Sequence, residues 1–284
     1  MVSSTPRELY RTLTAELEHA GIPDAAFDVR CMCEQISGKP LELFLLSDAV
    51  TPEHGAQLHA MAKRRIAGEP LQYLLGEWEF YGMRLFVGKG VLIPRPDTEA
   101  LADAVLEHAK KLDAPQIADL CSGSGCIALA LEANLPQARV YAVEKSPEAL
   151  VYLQKNAAYH SSRAEILHAD VLEPQTAERF RQLDVIVSNP PYLTAAEMQE
   201  LQTEVRHEPE MALAGITEDG LHFYREITRL WKKTLKKGGM LAYEAGDGQA
   251  EEIAGILREN GFANVTVRND LAGNPRVVEG FLAE

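Results

Sequence analysis

The sequence predicts an α/β protein in which a small helical domain precedes a larger domain built on a doubly wound parallel sheet. After Asp97, short apolar runs of strand character alternate with segments of helical spacing, and this alternation is typical of a parallel sheet with helices on both faces. A glycine-rich turn joins the first of these runs to a helix. Before about residue 75 the apolar residues show helical spacing only. Such sheets bind ligands at the carboxyl ends of their strands, so the functional residues are expected there.

The composition indicates a soluble globular protein. Its 284 residues correspond to about two domains of typical size. The content of 46% hydrophobic and 25% charged residues excludes disorder as the main state. No apolar run approaches the ~18 residues of a membrane span, and the N-terminus lacks the basic-then-apolar pattern of a signal peptide. We therefore expect a cytoplasmic protein that does not contact a membrane.

The net charge and the cysteine content argue against three classes of protein: nucleic-acid binders that rely on phosphate contacts, secreted disulfide-linked proteins and zinc proteins. A net charge of −14 argues against a protein that binds nucleic acid mainly through phosphate contacts, because that mode needs a basic surface. Two basic runs, Arg64-Arg65 and Lys232–Lys237, are expected to be solvated helix faces. The four cysteines are too few for a secreted disulfide framework, and no histidine lies near them at zinc-ligand spacing. Reduced thiols and no metal are expected.

Residues 1–75 are predicted to form the helical domain. The segment Thr5-Pro6-Arg7-Glu8 is a capping box with proline at the first helical position, and leucines follow at helical spacing from Leu9 to Leu17. Glycines at the ends of the helical stretches mark their boundaries. Two further helices are predicted, over Ala25–Ile36 and from Thr51 to about Ile66.

Residues 76–96 are predicted to form a β-hairpin that links the two domains, since aromatic and apolar residues surround Gly82 there. The hairpin either packs on the core alone or also borders a site. The larger domain then covers residues 97–284. Its predicted strands are Ile117–Leu120, Arg139–Val143, a third strand ending at His168–Val171, Asp184–Ser188, Met240–Glu244, and a terminal pair at Val265–Val267 and Val277–Phe281. Helices are predicted to start near Cys126, Pro147, Thr194 and Gly248.

The turn after the first strand of the larger domain is predicted to bind a nucleotide-like ligand. Within Ile117–Ala128, Gly123, Gly125 and Ala128 satisfy the glycine fingerprint, in which glycines let the backbone approach a ligand. Glu144 ends the next strand, where a carboxylate can accept both hydroxyls of a ribose. A solvated acid at a strand end is the alternative for Glu144 alone.

The acids at successive strand ends favour S-adenosylmethionine over a dinucleotide. Asp119 lies on the strand itself, where it would repel a pyrophosphate but attract a cationic sulfonium or α-ammonium group. Asp170 follows the third strand, where it could accept from an adenine amino group while Val171 packs on the ring. For Asp170, a loop-capping role is the alternative.

The segment Asn189-Pro190-Pro191-Tyr192 is predicted to carry the chemistry. It follows the fourth strand, and its two prolines remove two amide donors and fix φ, which holds the Pro190 carbonyl rigidly. The Asn189 side-chain oxygen and that carbonyl can accept both hydrogens of one planar NH2 group, and Tyr192 can stack on the flat group that bears it. This arrangement suits methylation of a conjugated nitrogen through orientation. A purely structural proline turn is the alternative.

These motifs resemble class I S-adenosylmethionine-dependent amino-methyltransferases, whose domain is Rossmann-like. Further segments are similar to the PrmC/HemK family of N5-glutamine methyltransferases acting on class I peptide chain release factors. They are Glu69–Gly76, Phe80, Leu92–Glu99, Glu208-Pro209 and Ala212-Leu213. The resemblance covers nearly the whole chain. It implies that the substrate is the glutamine of the Gly-Gly-Gln loop in a release factor, and that the helical domain and the hairpin help to present that loop.

The resemblance also assigns roles by position. It places S-adenosylmethionine against Asp119, Leu120, Cys121, Ser122, Gly123, Glu144, Val171 and Asn189, to which the residue patterns add Gly125 and Asp170. It places the glutamine amide against Asn189, Pro190, Pro191 and Tyr192, with Asn189, Pro190 and Tyr192 catalytic. Cys121 stands where the family often has glycine, and Glu144 where it often has aspartate.

Other functions remain open from the sequence. The Cys121 turn also occurs in a sister family that methylates a glutamine of a large-subunit ribosomal protein. An adenine-N6 or guanine-N2 methyltransferase would use the same motif on a nucleic-acid base, although the acidic charge disfavours such a substrate. A catalytically silent binding protein and a flavin or nicotinamide oxidoreductase are the remaining alternatives.

Overall fold

The structure is a computed structural model that describes residues 5–283. The capping box is described from Thr5 onward, while residues 1–4 and Glu284 lie outside the described residues. The chain divides into two compact units. The first consists of the residues up to Glu77 together with Gln202–His207, and the second of Trp78–Leu201 together with the residues from Glu208 onward. The inclusion of Gln202–His207 in the first unit was not predicted from the sequence.

The first unit is helical, as predicted. The capping box is present, because the Thr5 side chain accepts from the Glu8 amide and the Glu8 carboxylate accepts from the Thr5 amide at 2.9 Å. Leu9, Leu13 and Leu17 are buried along one face. The helices are α1 Pro6–His19, α2 Ala25–Ser37, α3 Leu41–Leu45, α4 Pro52–Ile66 and α5 Leu71–Leu75, of which the short α3 and α5 were not predicted.

Arg65 is buried, so the expectation that both Arg64 and Arg65 lie on a solvated helix face was wrong. Only 4% of Arg65 is exposed. Its guanidinium pairs with Asp28 of α2 at 2.6 Å and with Glu204 at 2.6 Å. Because a buried cation needs such partners, the pair with Glu204 connects the segment Gln202–His207 to the helices of the first unit.

A β-hairpin follows the helices, as predicted. Strands β1 (Glu77–Phe80) and β2 (Met83–Phe86) form a two-stranded sheet of their own. The turn residues Tyr81 and Gly82 both have positive φ, 53° and 70°, which is the conformation of the two-residue turns that match strand twist. Its role as a linker between domains stays a prediction.

The second unit is built on a seven-stranded sheet with strand order β5-β4-β3-β6-β7-β9-β8. The strands are β3 Gln116–Leu120, β4 Arg139–Glu144, β5 Glu165–His168, β6 Leu183–Ser188, β7 Leu235–Glu244, β8 Phe262–Asn269 and β9 Pro275–Leu282. The helices are α6 Glu99–Ala109, α7 Cys126–Asn134, α8 Pro147–Tyr159, α9 Pro174–Ala177, α10 Ala195–Gln199, α11 His222–Trp231 and α12 Ala250–Glu259.

The sheet is parallel except at β9, which is antiparallel to both β7 and β8. Here the prediction of a parallel sheet was incomplete, because the short turn between β8 and β9 returns the chain in the opposite direction. The strand β7 begins at Leu235, so the lysines of Lys232–Lys237 lie on a 3₁₀ turn and a strand rather than on a helix. The order reverses between β3 and β6, which is the switch point where sheets of this class bind ligands.

Both faces of the sheet are covered by buried apolar side chains. On one face Tyr224 and Trp231 of α11 pack with Tyr243 of β7, and on the other Leu101 and Val105 of α6 contribute to the core. Among residues 5–283, no helix combines the length and the apolar character needed to cross a bilayer. The four cysteines are free thiols. Within the same residues, no group of His, Cys, Asp and Glu side chains is arranged to hold a metal ion.

Candidate active site

The predicted site residues converge where strands β3, β4 and β6 end. In the parallel register, Leu120 of β3 lies beside both Val143 of β4 and Ser188 of β6. The glycine turn, Glu144 and Asn189 follow these positions directly. Register therefore places the three predicted motifs at one edge of the sheet.

Asp119 is the most deeply buried acid of this edge, with 0% of its surface exposed. Its Oδ2 accepts from the Ser122 hydroxyl at 2.5 Å and from the Ala128 amide at 3.2 Å. Its Oδ1 is buried and has no hydrogen-bond partner among the described residues. Burial raises the pKa of the Asp119 carboxyl to about 7. A buried acceptor without a partner is costly, so this oxygen fits a ligand that brings a cation or a donor.

The turn after β3 adopts the left-handed conformation that its glycines allow. Gly123 and Gly125 have φ of 57° and 83°, and a Cβ at Gly125 would lie 2.3 Å from Leu153. Cys121 has φ of 61° although it is not glycine. Left-handed backbone costs a residue other than glycine roughly 1–2 kcal/mol. A Cβ at Gly123 would meet nothing within 4 Å, so the backbone there is open to a ligand.

Glu144 joins the end of β4 to this turn. Its Oε2 accepts from the Gly123 amide at 2.8 Å and its Oε1 from the Ser146 amide at 2.6 Å, and 7% of the residue is exposed. A carboxylate offers about four lone-pair sites, so each oxygen keeps a second site free. The structure thus brings Glu144 and Gly123 together, and the ribose contact stays a prediction.

Asp170 lies two residues beyond the end of β5, and its carboxylate bonds to a neighbouring backbone amide and to a lysine. Its Oδ1 accepts from the Leu172 amide at 2.9 Å, and its Oδ2 pairs with Lys145 at 2.8 Å. This is the loop-capping arrangement that the sequence left as an alternative. The neighbouring Val171 is buried, and its carbonyl accepts from the indole of Trp231 at 2.8 Å. The adenine contacts of Asp170 and Val171 stay predictions.

The segment Asn189–Tyr192 is held by three other parts of the second unit. The Asn189 Nδ2 lies 3.5 Å from the Thr98 hydroxyl. The Tyr192 amide donates to the carbonyl of Leu213 at 3.2 Å, and the Tyr192 carbonyl accepts from Gln249 at 3.1 Å. Pro190 and Pro191 are buried. Hydrogen bonds therefore fix the backbone at both the amide and the carbonyl of Tyr192. This backbone continues directly from Asn189 and Pro190, which carry the two predicted acceptors.

Three glycines make room for Tyr192, and the sequence analysis did not identify them. A Cβ at Gly220 would lie 2.0 Å from the Tyr192 carbonyl oxygen, and one at Gly215 would lie 2.9 Å from the carbonyl carbon. A Cβ at Gly246 would lie 2.6 Å from the Tyr192 ring and 2.4 Å from the Gln249 amide oxygen. Gly215, Gly220 and Gly246 thus allow a close approach that sets the position of the aromatic ring.

Replacing Gly246 by alanine is expected to shift the Tyr192 ring and to lower kcat/KM for the methyl acceptor about 10–10²-fold, since displacements of 1 Å at a reacting centre have effects of this size. Cofactor affinity, measured by calorimetry, should stay unchanged. Gly255 on α12 is the matched control, because a Cβ there meets nothing within 4 Å. Equal activity of the two variants would contradict the proposed position of the ring.

Two further buried polar residues border Asn189 and were also missed. Thr98 and Glu244 are 2% and 3% exposed, and Oε2 of Glu244 has no hydrogen-bond partner among the described residues. Burial raises the pKa of Glu244 to about 7, while hydrogen bonds with the side chains of Thr98 and Asn189 act in the opposite direction. Glu244 was predicted only as the last residue of a strand. The rule that selected Glu144, an acid at the carboxyl end of a parallel strand, would have selected it too.

Two segments that resemble the family contact each other within the second unit. Arg95 forms an ion pair with Glu208, whose second carboxylate oxygen accepts from the Ile93 amide at 2.9 Å. Glu208 is 6% exposed. The sequence did not show whether Arg95 contacts the ligand or shapes the chain, and this pair shows that Arg95 has a structural partner.

Comparison with known proteins gives relatives that span most of the chain. A release factor glutamine methyltransferase of Deinococcus radiodurans is 37% identical over 96% of this chain and 96% of its own. That of Thermodesulfovibrio yellowstonii is 38% identical over 87% of this chain and 88% of its own, and that of Geobacter sulfurreducens is 43% identical over 81% and 80%. The chain belongs to the release factor glutamine methyltransferase family.

Two family models agree with this assignment, and a solved structure shows a similar fold. Residues 97–213 match the model of the methyltransferase small domain, and residues 8–76 match that of the PrmC N-terminal domain. The chain resembles a 16S rRNA N2 methyltransferase of T. thermophilus solved in complex with AdoMet and guanosine. That match has a TM-score of 0.51 at 18% identity and covers 72% of this chain and 49% of the other. It shows the fold alone, and it confirms the predicted methyltransferase architecture.

Proposed function

We propose that this protein transfers the methyl group of S-adenosylmethionine to the side-chain amide nitrogen of the glutamine in the Gly-Gly-Gln loop of class I peptide chain release factors. Membership of the release factor glutamine methyltransferase family supports the reaction and the substrate. The observation that carries the chemistry is the position of Asn189, which follows β6 beside the glycine turn and is held by a buried network. The bound cofactor supplies a methyl group activated on a sulfonium.

The cofactor would lie along the edge formed by the glycine turn and the acids. The unpartnered Oδ1 of Asp119 supports a contact with a cationic part of the ligand. Glu144 has free acceptor sites beside the open backbone of Gly123 and would accept from the ribose hydroxyls. Leu120, Cys121, Ser122, Gly125 and Asn189 would line the same edge, with Asp170 and Val171 nearest the adenine.

The substrate amide would be oriented by the Asn189–Tyr192 segment. The side-chain oxygen of Asn189 and the carbonyl of Pro190 would accept its two hydrogens, and the half-buried ring of Tyr192 would stack on its plane. Pro191 keeps the segment rigid because its φ is restricted. With Asp119, Gly123 and Glu144 holding the cofactor, its sulfonium would supply the methyl group to this nitrogen and leave as a neutral thioether, and the nitrogen would release one proton to solvent. Such orientation can supply up to roughly 7–11 kcal/mol of a barrier, and no strong base is required.

The helical unit is proposed to recognise the release factor. It forms a compact unit that includes the segment Gln202–His207, so it is tied to the part of the chain that follows the Asn189–Tyr192 segment. The ion pairs of Arg65 with Asp28 and Glu204 hold that segment in place.

The function is tested by incubating the protein with a purified release factor and S-adenosylmethionine, followed by mass spectrometry of the tryptic loop peptide. We expect the mass of one methyl group to appear on the glutamine of the Gly-Gly-Gln motif. A release factor with that glutamine changed to glutamate is the matched control and should gain nothing. Transfer to ribosomal protein, RNA or DNA instead of the release factor would reject the proposal and identify one of the alternatives.

A further inference from the structure

We propose that Glu244 is a positioning residue that holds the Asn189 side-chain amide with its oxygen toward the substrate. This inference rests on the proposed function and deepens it, since it names the residue that orients the side chain proposed to bind the substrate amide. Glu244 is not expected to contact the substrate. It acts through Asn189, together with Thr98.

The register of the sheet places Glu244 next to Asn189. Ser188 of β6 lies beside Tyr243 of β7, and Asn189 and Glu244 are the residues that follow them. The Glu244 side chain is buried and its Oε2 has no hydrogen-bond partner among the described residues, while the side chains of Thr98 and Asn189 lie near enough to the carboxyl to lower its pKa. Burying a carboxylate costs free energy unless it is paired and fully hydrogen-bonded, so a buried carboxylate with an unpartnered oxygen is a candidate for a functional role. Its location beside the predicted catalytic asparagine points to such a role.

The donors and acceptors of this network allow one arrangement when Glu244 is ionised. An ionised carboxylate only accepts, so it takes the Thr98 hydroxyl proton and an Asn189 Nδ2 proton. The Thr98 oxygen is then left as an acceptor, and the Asn189 Nδ2 lies 3.5 Å from it. The Glu244 carboxylate and the Thr98 oxygen can then only accept, so both must face the NH2 group of Asn189. The Asn189 oxygen therefore points away from them. An amide in this orientation presents the acceptor that a glutamine NH2 needs.

Protonation of Glu244 would remove this constraint. A protonated carboxyl can donate to the Asn189 oxygen, so the amide could rotate and present NH2 to the substrate. Burial raises the pKa of Glu244 to about 7. Turnover should therefore increase as the pH rises through about 7, where the ionised form becomes dominant.

Charged and titratable groups surround Glu244 from several elements. Arg276 of β9 favours the ionised form, and Asp97, which precedes Thr98, opposes it. Tyr192, Tyr224 of α11 and Cys126 of α7 are the other titratable groups coupled to this carboxylate. The phenols and the thiol have pKa values raised by burial, so they stay neutral near pH 7. Glu244 is the group of this set that would change its charge between pH 6 and 8.

The decisive variant is Glu244→Gln, which keeps the volume but adds a donor. We expect kcat with the release factor to fall about 10²-fold, since the added donor leaves the amide misoriented in nearly all of the molecules. Affinity for S-adenosylmethionine should stay within about twofold, and the rise of kcat through pH 7 should disappear. Glu279→Gln is the matched control, because Glu279 is another buried glutamate of the same sheet, at 4% exposure, bonded to Thr266 and Arg268.

A double-mutant cycle separates positioning from a merely structural role. In an Asn189→Ala background, Glu244→Gln should have almost no further effect on the residual rate measured with radiolabelled methyl donor. An undiminished effect in that background, or wild-type turnover of Glu244→Gln, overturns the proposal. If Glu244→Gln does not fold, Thr98→Val tests the same network, and Thr98→Ser should restore the rate.

A second readout does not depend on the substrate. The side-chain NH2 resonances of Asn189, assigned with Asn189→Ala, should shift with a midpoint near pH 7 in the wild type and show no such shift in Glu244→Gln. Absence of that titration in the wild type overturns the inference. If the wild type titrates but methylates no release factor, the proposed function fails while the contact between Glu244 and Asn189 stands.

Discussion

Replacement of Asn189 by alanine is expected to lower kcat for release factor methylation by about 10²–10³-fold, the loss typical when one preorganised polar contact is removed from a reacting centre. The variant removes the side-chain acceptor and leaves the Pro190 carbonyl to hold the substrate amide alone. The cofactor should still bind with affinity close to that of the wild type, because the acids at the ends of β3 and β4 are unchanged. Steady-state kinetics and calorimetry measure the two quantities.

Asn134→Ala is the control for this experiment. The Asn134 side chain bonds to Ala130 within helix α7, at 2.9 Å, and should leave turnover unchanged. A kcat for Asn189→Ala that matches this control would remove the central claim about the amide site. A large loss of cofactor affinity without a loss of kcat would instead limit the role of Asn189 to its predicted contact with the cofactor.

Asp119→Asn is expected to weaken S-adenosylmethionine binding by about 10–10²-fold, corresponding to one lost hydrogen bond to a charged group. The asparagine can still accept from Ser122 and from the Ala128 amide, but it carries no charge toward the ligand. Asp184→Asn is the matched control. Asp184 lies at the opposite end of the sheet, where it bonds to the Gln116 amide at 2.8 Å and to Lys236 at 2.7 Å.

The pH dependence gives this prediction a sign. Burial raises the pKa of Asp119 from 3.8 in the unfolded chain to about 7. The folded state then holds a proton that the unfolded state releases, so this residue lowers stability as the pH rises from about 4 to 7. Cofactor affinity should rise over the upper part of the same range, because the ionised form attracts a cation. In Asp119→Asn the pH dependence of cofactor affinity should be absent and that of stability should be reduced, because Glu244, whose pKa burial also raises to about 7, still contributes to it. Calorimetry and thermal unfolding at pH 6 and 8 measure the two dependences, and unchanged values would assign them to another group.

The parts of the site that depend on short segments were predictable. The left-handed turn after β3 needs glycines at fixed spacing, and Gly123 and Gly125 supply them. Glu144 could be placed beside the glycine turn because consecutive parallel strands end at one edge of the sheet. In the structure its carboxylate lies 2.8 Å from the Gly123 amide. The rigid Asn189–Tyr192 segment could be recognised because its prolines restrict its own backbone.

The parts that depend on distant segments were missed. Thr98, Glu244 and Gln249 lie far from Asn189 and Tyr192 in the sequence, and each is an ordinary residue in its own segment. Arg65 was expected to be solvated because its partner Glu204 lies far along the chain. Asp170 pairs with Lys145 and accepts from the Leu172 amide. From the sequence, this loop-capping role could be stated only as an alternative to an adenine contact.

The sequence by itself determined the α/β class, the helical unit, the glycine turn and the rigid backbone of the Asn189–Tyr192 segment. These features follow from backbone conformations and hydrophobic periodicity, which act between residues a few positions apart. Only the tertiary structure decided which side chains surround Asn189 and Tyr192, and which acids are buried without partners. Those contacts come from strand register and helix packing. Both bring together segments that are distant in the sequence, and the residues of one segment do not indicate which other segment it will contact.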